Sequence, residues 1–353
     1  MLQYCLKRIL LFFPTLFGII LITFLIIQVV PGGPVEQMIA ARIGGHGGEV
    51  SSGSSGPIGD KITRKGLDED QITQLKKLYG FDKPLHERFL SWCYKLFTFQ
   101  FGESYFYHRK VVELVADKLP VSASLGIISF LLTYLICIPL GIAKAIRAGS
   151  TFDMLSSVVV LVGYSIPGFV LGIFLIVIFA GGSFWDFFPV RGLVSDNFDQ
   201  LSTVDQFKDY LHHLFLPVIC MTIGSFAVMT NLTRNTVMEH IGQLYILTAR
   251  SKGMKETMVI WKHLLRNAMI PLVTGFAGGF LTMFFGSSML IETLFSLDGL
   301  GLLSYEAVIK RDYPVVMANL FFFSLMFVIG NLLSDIMYVW IDPRISFEKS
   351  PGS

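Results

Sequence analysis

Six long apolar runs constrain this chain more than any other feature: residues 9–30, 121–143, 155–180, 214–233, 269–291 and 315–341. Each is near or above the ~20 residues that a helix needs to cross a ~30 Å hydrocarbon layer. Five carry no formal charge, and the sixth holds only Asp335, close to its end. A charged side chain at mid-bilayer costs about 2.5–3.5 kcal/mol on insertion, so runs kept this clean read as lipid-spanning. Inside lipid each backbone amide must find its partner within the segment, which makes these runs helices. The expected fold is an all-α polytopic membrane protein with six transmembrane helices. Charged residues are 15% of 353 positions and hydrophobic ones 53%, where a soluble domain carries about a quarter charged. A net charge of +2 is too small to point to nucleic acid.

Lys7 and Arg8 before the first run imitate a signal peptide. The run is too long for one, and no small-x-small cleavage site precedes Pro31-Gly-Gly-Pro34, so an uncleaved first helix is expected. Orientation follows from the connections. Lys144 and Arg147 lie between runs two and three; Arg234, Arg250, Lys252, Lys255, Lys262 and Arg266 lie between four and five; Arg344 and Lys349 follow run six. Basic connections stay on the cytoplasmic side, which places both termini there in a bacterial cytoplasmic membrane. The connection between runs three and four is acid-rich (Asp186, Asp196, Asp199, Asp205, Asp209) and belongs outside.

The organisation expected is residues 1–30 for the cytoplasmic N-terminus and helix 1, 31–120 for an extracytoplasmic lobe, 121–341 for helices 2–6, and 342–353 for a cytoplasmic tail. Within the lobe, residues 44–59 are Gly/Ser-rich and expected to be flexible. Asp68 can cap a helix stopped by Gly80, and a second helix should follow Pro84, with Phe89, Trp92, Tyr94, Leu96 and Phe97 available for packing. Only Cys93 of the four cysteines falls outside, so no disulfide is expected there. His212-His213 is expected to cap the fourth span and not to bind a metal.

The loop 234–268 carries the most specific pattern. It holds Tyr245, Thr248, Ala249, Arg250, Lys252 and Gly253, then His263, Arg266 and Asn267, with Pro271 just beyond. Ala249 and Gly253 are small and four apart, so they are expected to share a helix face that admits a partner closely, with Tyr245 and Ile246 as an apolar anchor. In the order T-A-R-x-K-G…H-x-x-R-N-A-x-x-P, this resembles the EAA loop of ABC importer permeases of the dipeptide/oligopeptide branch. Tyr79-Gly-Phe-Asp-Lys-Pro84, Phe101-Gly-Glu-Ser104, Leu119-Pro120, Ser165-Ile-Pro167, Glu292-Thr-Leu-Phe-Ser-Leu-Asp-Gly-Leu-Gly301, Arg311-Asp-Tyr-Pro314 and Asp342-Pro-Arg344 extend the resemblance along the chain. The Gly-rich insertion and Phe188-Pro-Val-Arg-Gly-Leu-Val-Ser195 make it most similar to the Yej-type oligopeptide permeases. Leu247 stands where the general pattern has glutamate, and Asp298 where a proline is usual before Gly-Leu-Gly.

The resemblance implies a type I ABC importer permease fold and import of oligopeptides, including peptide-like antibiotics. It implies a coupling helix in the loop that docks on a separate ATPase. The partners implied are a homologous second permease, two ATPase subunits or one fused ATPase, an extracytoplasmic peptide-binding protein, and membrane lipid. This chain would bind no cofactor, ATP and Mg being used by the ATPase partners, and would be non-catalytic. The residues agree on that point, since no P-loop, Gly-x-Ser-x-Gly or His-Glu-x-x-His occurs. Spans one to five lack acidic or basic residues to relay protons, and Asp335 is the one coupling candidate. Ser165, Pro167, Asn319 and Asn331 are candidates for the translocation path. The two asparagines, twelve apart, are offset by ~120° on a helix and cannot both face one pore. The alternatives are another cargo, such as nickel or glutathione, and a non-transporting membrane assembly or receptor subunit.

Overall fold

The computed structural model describes residues 2–29, 83–276, 278–279 and 289–341, and side chains of most of these. Pro31-Gly-Gly-Pro34, the 44–59 segment, the helix expected after Asp68, the later part of the fifth run and the tail 342–353 lie outside the described residues. In order, the helices are α1 (Leu2–Val29), α2 (Leu85–Phe97), α3 (Val111–Ile146), α4 (Thr151–Ser165), α5 (Gly168–Phe179) and α6 (Thr203–Ile241). There follow α7 (Leu244–Ser251), α8 (Glu256–Met258), a π-helical turn Val259–Leu264, α9 (Leu265–Ala268), α10 (Ile270–Thr274), α11 (Met289–Leu294), α12 (Leu300–Ile309) and α13 (Tyr313–Ile341). No strand occurs among the described residues; only Glu103 and Lys110 form an isolated bridge.

Three of these helices are long and apolar enough to cross a membrane: Val111–Ile146, Thr203–Ile241 and Tyr313–Met337. They match the second, fourth and sixth runs but overrun them. At 1.5 Å per residue, the 36 residues of α3 and the 39 of α6 far exceed a ~30 Å layer, so their ends project beyond it. Leu119-Pro120 therefore lies inside α3. His212-His213 likewise sits inside α6, whose N-cap is Ser202, accepting from the Asp205 amide at 3.3 Å. His213 is buried and bonds the Asp209 carbonyl in the preceding turn. The capping role expected for the pair is thus corrected.

The third run is not one straight span. α4 and α5 are bent by 96° at Ile166-Pro167. The pyrrolidine ring disfavours helical backbone at the residue before it, and Ile166 is extended at φ −94°, ψ 118°. Beyond the break, a Cβ on Gly168 would lie 2.5 Å from the Cys220 carbonyl oxygen, so α5 crosses α6 at a distance that only glycine allows. Of the first run, Phe13–Ile26 is an apolar helix.

The chain forms two compact units, one of Met1–Phe12, Val115–Glu306 and Phe323–Ser353, the other of Phe13–Leu114 and Ala307–Phe322. The second unit contains the helix expected after Pro84. Phe89 and Trp92 of α2 pack on Phe24 of α1 with ring centroids 5.3 and 5.5 Å apart. Phe99 and Phe101 meet Phe321 and Phe322. Here two separated motifs join: the buried Asp312 carboxylate accepts from the Ser104 hydroxyl and from the Tyr105 amide at 3.2 Å.

The first unit has two cores. One is built from Leu125 of α3, Leu214, Leu216, Val218 and Cys220 of α6, and Ile291 and Phe295. The other joins Ile142 and Ala145 of α3 and Val237 of α6 to Ile246, Ala249, Val259, Leu264, Leu265 and Ala268. Such side chains contribute about 1.5–3 kcal/mol each when fully buried, which holds the loop after α6 as a folded cap.

Candidate functional site

The loop between α6 and α10 is a compact helical structure with two faces. Ile246 and Ala249 of α7 are 0% and 5% exposed and turn into the chain's own core. Leu244 is 79% exposed, Leu247 47% and Trp261, in the π-helical turn, 71%. The outward apolar stripe is therefore Leu244 and Leu247, three apart on α7, extended by Trp261 and the exposed Met258. This corrects the expectation that Ile246 serves as the outward anchor.

Ala249 and Gly253 do not share a helix face either. α7 ends at Ser251, and Gly253 adopts φ +72° beyond it. Its amide donates to the Arg250 carbonyl at 2.9 Å, and the Met254 amide to that of Ala249 at 3.4 Å. The left-handed backbone that closes a helix this way suits glycine, so the Lys-Gly pair ends the helix and reverses the chain. Arg250 reaches across this turn to Glu256, with contacts of 3.1 and 2.5 Å. That guanidinium, by hydrogen bonding first and charge second, holds the Glu256 carboxyl below its usual range. A depressed carboxylate stabilises the fold above its unfolded-state pKa and loses that effect as pH falls through the folded value, so the clamp opens only in acid.

The remaining residues of the pattern surround this frame. Tyr245 is exposed, its hydroxyl 3.2 Å from His240 Nδ1, and Thr248 donates to the Leu244 carbonyl at 2.8 Å. Lys252 and Arg266 are exposed, His263 and Asn267 half-buried, and Pro271 lies in the first turn of α10, where its missing N–H has no helical acceptor to lose.

Sequence reading missed the ionic cluster that joins the helices beneath this cap. Lys144, expected as a topology-setting loop cation, is 0% exposed. Its ammonium lies 3.3 Å from Asp153 Oδ1 and donates to Ser156 Oγ at 2.9 Å and Ser157 Oγ at 2.6 Å. Arg234 grips the same carboxylate in bidentate fashion, at 2.9 and 2.7 Å. One buried anion thus ties the C-terminal part of α3, the start of α4 and the C-terminal part of α6. The nearness of Lys144 and Asp153 in sequence was the only available signal.

The four path candidates are not brought together. Ser165 is exposed and bonds its own helix at the Leu161 carbonyl, 2.9 Å away; Pro167 caps α5. Asn319 is buried, and Asn331 donates to the Phe327 carbonyl at 3.0 Å. None of them lines the cavity that α3 and α6 enclose with Gly275 and Gly279. Gly279 packs within the chain: a Cβ there would lie 2.5 Å from the ring of Phe130. Among the described residues no cluster of three or more His, Cys, Asp or Glu could hold a metal.

The sequence decides the family. Residues 137–347, which include α6, the whole loop and α13, match the family described as binding-protein-dependent transport system inner membrane component. The chain belongs to this family. The permease is 48% identical over 359 residues to the peptidoglycan transport system permease protein YejB of Agrobacterium fabrum, covering 98% of each chain. It is 47% identical to the inner membrane ABC transporter permease protein YejB of Escherichia coli O157:H7, covering 98% of this chain and 99% of that one. With the dipeptide transport system permease protein DppB of Escherichia coli K12 it shares 32% identity over 99% of this chain and all of the other. The permease is an inner-membrane protein that works in a binding-protein-dependent transport system, which sets aside the reading as a non-transporting assembly.

Proposed function

We propose that this permease carries oligopeptides into the cytoplasm, driven by ATP hydrolysis on separate ATPase subunits. It pairs with a homologous permease and receives cargo from an extracytoplasmic peptide-binding protein. Two ATPase domains, separate or fused, supply the energy with ATP and Mg, and this chain itself performs no catalysis. Both termini and the α7 loop face the cytoplasm in this reading. The observation that carries it is the loop: an apolar stripe stands outward on a helix whose other face is locked into the chain's own core. An exposed apolar stripe in a loop that also exposes Lys252, Lys255 and Arg266 has the composition of a docking surface. The peptide-carrying relatives support the cargo.

The stripe is tested by Leu247→Glu, which places a charge at the surface without touching the core. ATPase co-purification and peptide uptake should each fall about tenfold, as when a contact at the centre of an interface is lost. Gly253→Val should act on the same readouts by straining a backbone that only glycine adopts comfortably, at about 1–3 kcal/mol. Normal uptake and ATPase retention in both variants would reduce the loop to a determinant of topology. Ala249→Glu is not a clean probe, because it would bury a charge in the core.

A further inference from the structure

The helix α2 is too short to cross a membrane: its 13 residues span about 20 Å against a hydrocarbon layer of ~30 Å. At ~100° per residue its side chains fall into three arcs. Phe89, Trp92 and Leu96 form the inward arc that packs within the chain. Leu90, Tyr94 and Phe97, at i, i+4 and i+7, form a second apolar stripe that is 65%, 66% and 52% exposed. Glu87, Ser91 and Lys95 make the third arc, also exposed. His86 and Glu87 flank the stripe in the first turn, and beyond that turn it carries no charge.

Two separate contacts give the depth at which this helix sits. Phe89 and Trp92 rest on Phe24 of α1, and the ring of Phe97 meets Phe321 of α13 at 6.3 Å. Phe24 lies six residues inside the C-terminal end of the first apolar run, and Phe321 six inside the N-terminal end of the sixth. At 1.5 Å per residue, both contacts are about 9 Å within the apolar layer. Phe89, central in the inward arc, reaches farther still and touches Phe17. Helices that lie on a bilayer bury their apolar face by ~5–10 Å, which is the same depth. The supporting helix is itself open to lipid, since Ile22, Leu25 and Ile26 of α1 are at least half exposed.

We propose that α2 is an interfacial helix embedded in one leaflet, with Leu90, Tyr94 and Phe97 against phospholipid acyl chains and Glu87, Ser91 and Lys95 at the headgroups. It belongs to the membrane body of the protein and not to a lobe in water. The leaflet is the outer one in the orientation proposed above, and the inference holds whatever the cargo. In water, the stripe would leave three large apolar side chains unsheltered on a helix whose inner arc is already packed. In the interface, Leu90 and Phe97 meet hydrocarbon, and Tyr94 keeps its ring in the apolar layer and its hydroxyl near the headgroups.

The test uses the assembled complex, with its ATPase and binding protein, in vesicles of phosphatidylethanolamine and phosphatidylglycerol. One arm leaves the chain unaltered: a phospholipid with a diazirine midway along its acyl chain is photolysed, and the adducts are mapped by mass spectrometry. They should fall on Leu90, Tyr94 or Phe97, as on Ile22, Leu25 and Ile26 of α1, and be absent from Glu87, Ser91 and Lys95. The other arm places a nitroxide at Leu90→Cys, Tyr94→Cys, Phe97→Cys and Ser91→Cys, with Cys5, Cys93, Cys137 and Cys220 replaced by alanine. Collisions with a neutral nickel chelate should be lost at the three stripe positions while collisions with oxygen persist, and Ser91→Cys should remain open to nickel. Nickel access at all four positions, with adducts on α1 alone, would place α2 in water and overturn the proposal. A stripe closed to oxygen and nickel alike, and free of adducts, would overturn it too, because a protein partner would then cover these side chains.

Discussion

Asp153→Ala should destabilise the protein by about 3–5 kcal/mol, the usual consequence of removing one member of a buried ionic cluster. The reason is the asymmetry of the site. Lys144 is wholly enclosed and Arg234 three-quarters so, and both spend their charge on this carboxylate. Removing the anion leaves an ammonium in the interior with only the Asp153 carbonyl and two serine hydroxyls to solvate it. Lys144→Met should be much milder, since Arg234 still satisfies the carboxylate and the methionine fills a similar volume. The melting temperature of the detergent-purified protein reads both. Equal losses in the two variants, or none in Asp153→Ala, would show that the cluster is not held together by its anion. Because α7 packs on Ile142 and Ala145 of α3 and Val237 of α6, Asp153→Ala should also lower transport to the fraction that remains folded.

Gly299→Val should cost about 2–5 kcal/mol, combining overpacking with disruption of buried hydrogen bonds. Glu292 is fully buried beneath the turn before α12. Its carboxylate accepts from the Ser122 hydroxyl at 3.1 Å and from the Leu302 amide at 2.5 Å, while Ser122 Oγ accepts from the Leu300 amide at 2.7 Å. These donors are the open amides at the start of α12, where a negative charge is favoured. A Cβ on Gly299 would lie 2.6 Å from Glu292 Cδ and 2.7 Å from Ser122 Oγ, inside the carboxylate's own space. Gly242→Ala is the control: φ is −92° and nothing lies within 4 Å, so its melting temperature should stay near that of the parent. A Gly299→Val protein as stable as Gly242→Ala would mean that the turn repacks freely and that Glu292 does not organise it.

What the sequence made legible is local physics. Apolar run length located α3, α6 and α13, and Pro84 marked the start of α2; the break at Pro167 was not separable from Pro139 and Pro217, which lie inside unbroken helices. The losses are all long-range. Ser104 and Asp312 are separated by 208 positions and Ser122 and Glu292 by 170. Each short motif could be seen, but nothing in one names its partner. The helix ends were misjudged because hydropathy reports where lipid ends, whereas α6 continues to Ile241 on its own hydrogen bonds and the second core. The facing of α7 was reversed for a related reason. Small residues four apart describe a side of a helix, and only the packing of Ile142, Ala145 and Val237 decides that this side is turned inward. Lys144 and Arg234 were legible as cations, while their sharing of Asp153 depends on the turn 147–150 that brings α4 back beside α3.

The central claim is that this permease moves peptides under the control of a partner ATPase and a binding protein. It is tested most directly by reconstituting the purified complex in sealed vesicles and following a labelled oligopeptide. Accumulation should require ATP on the ATPase side and peptide-loaded binding protein on the other, and should fall about tenfold in Leu247→Glu although the chain remains inserted. Accumulation that proceeds without ATP, or without the binding protein, would contradict the account.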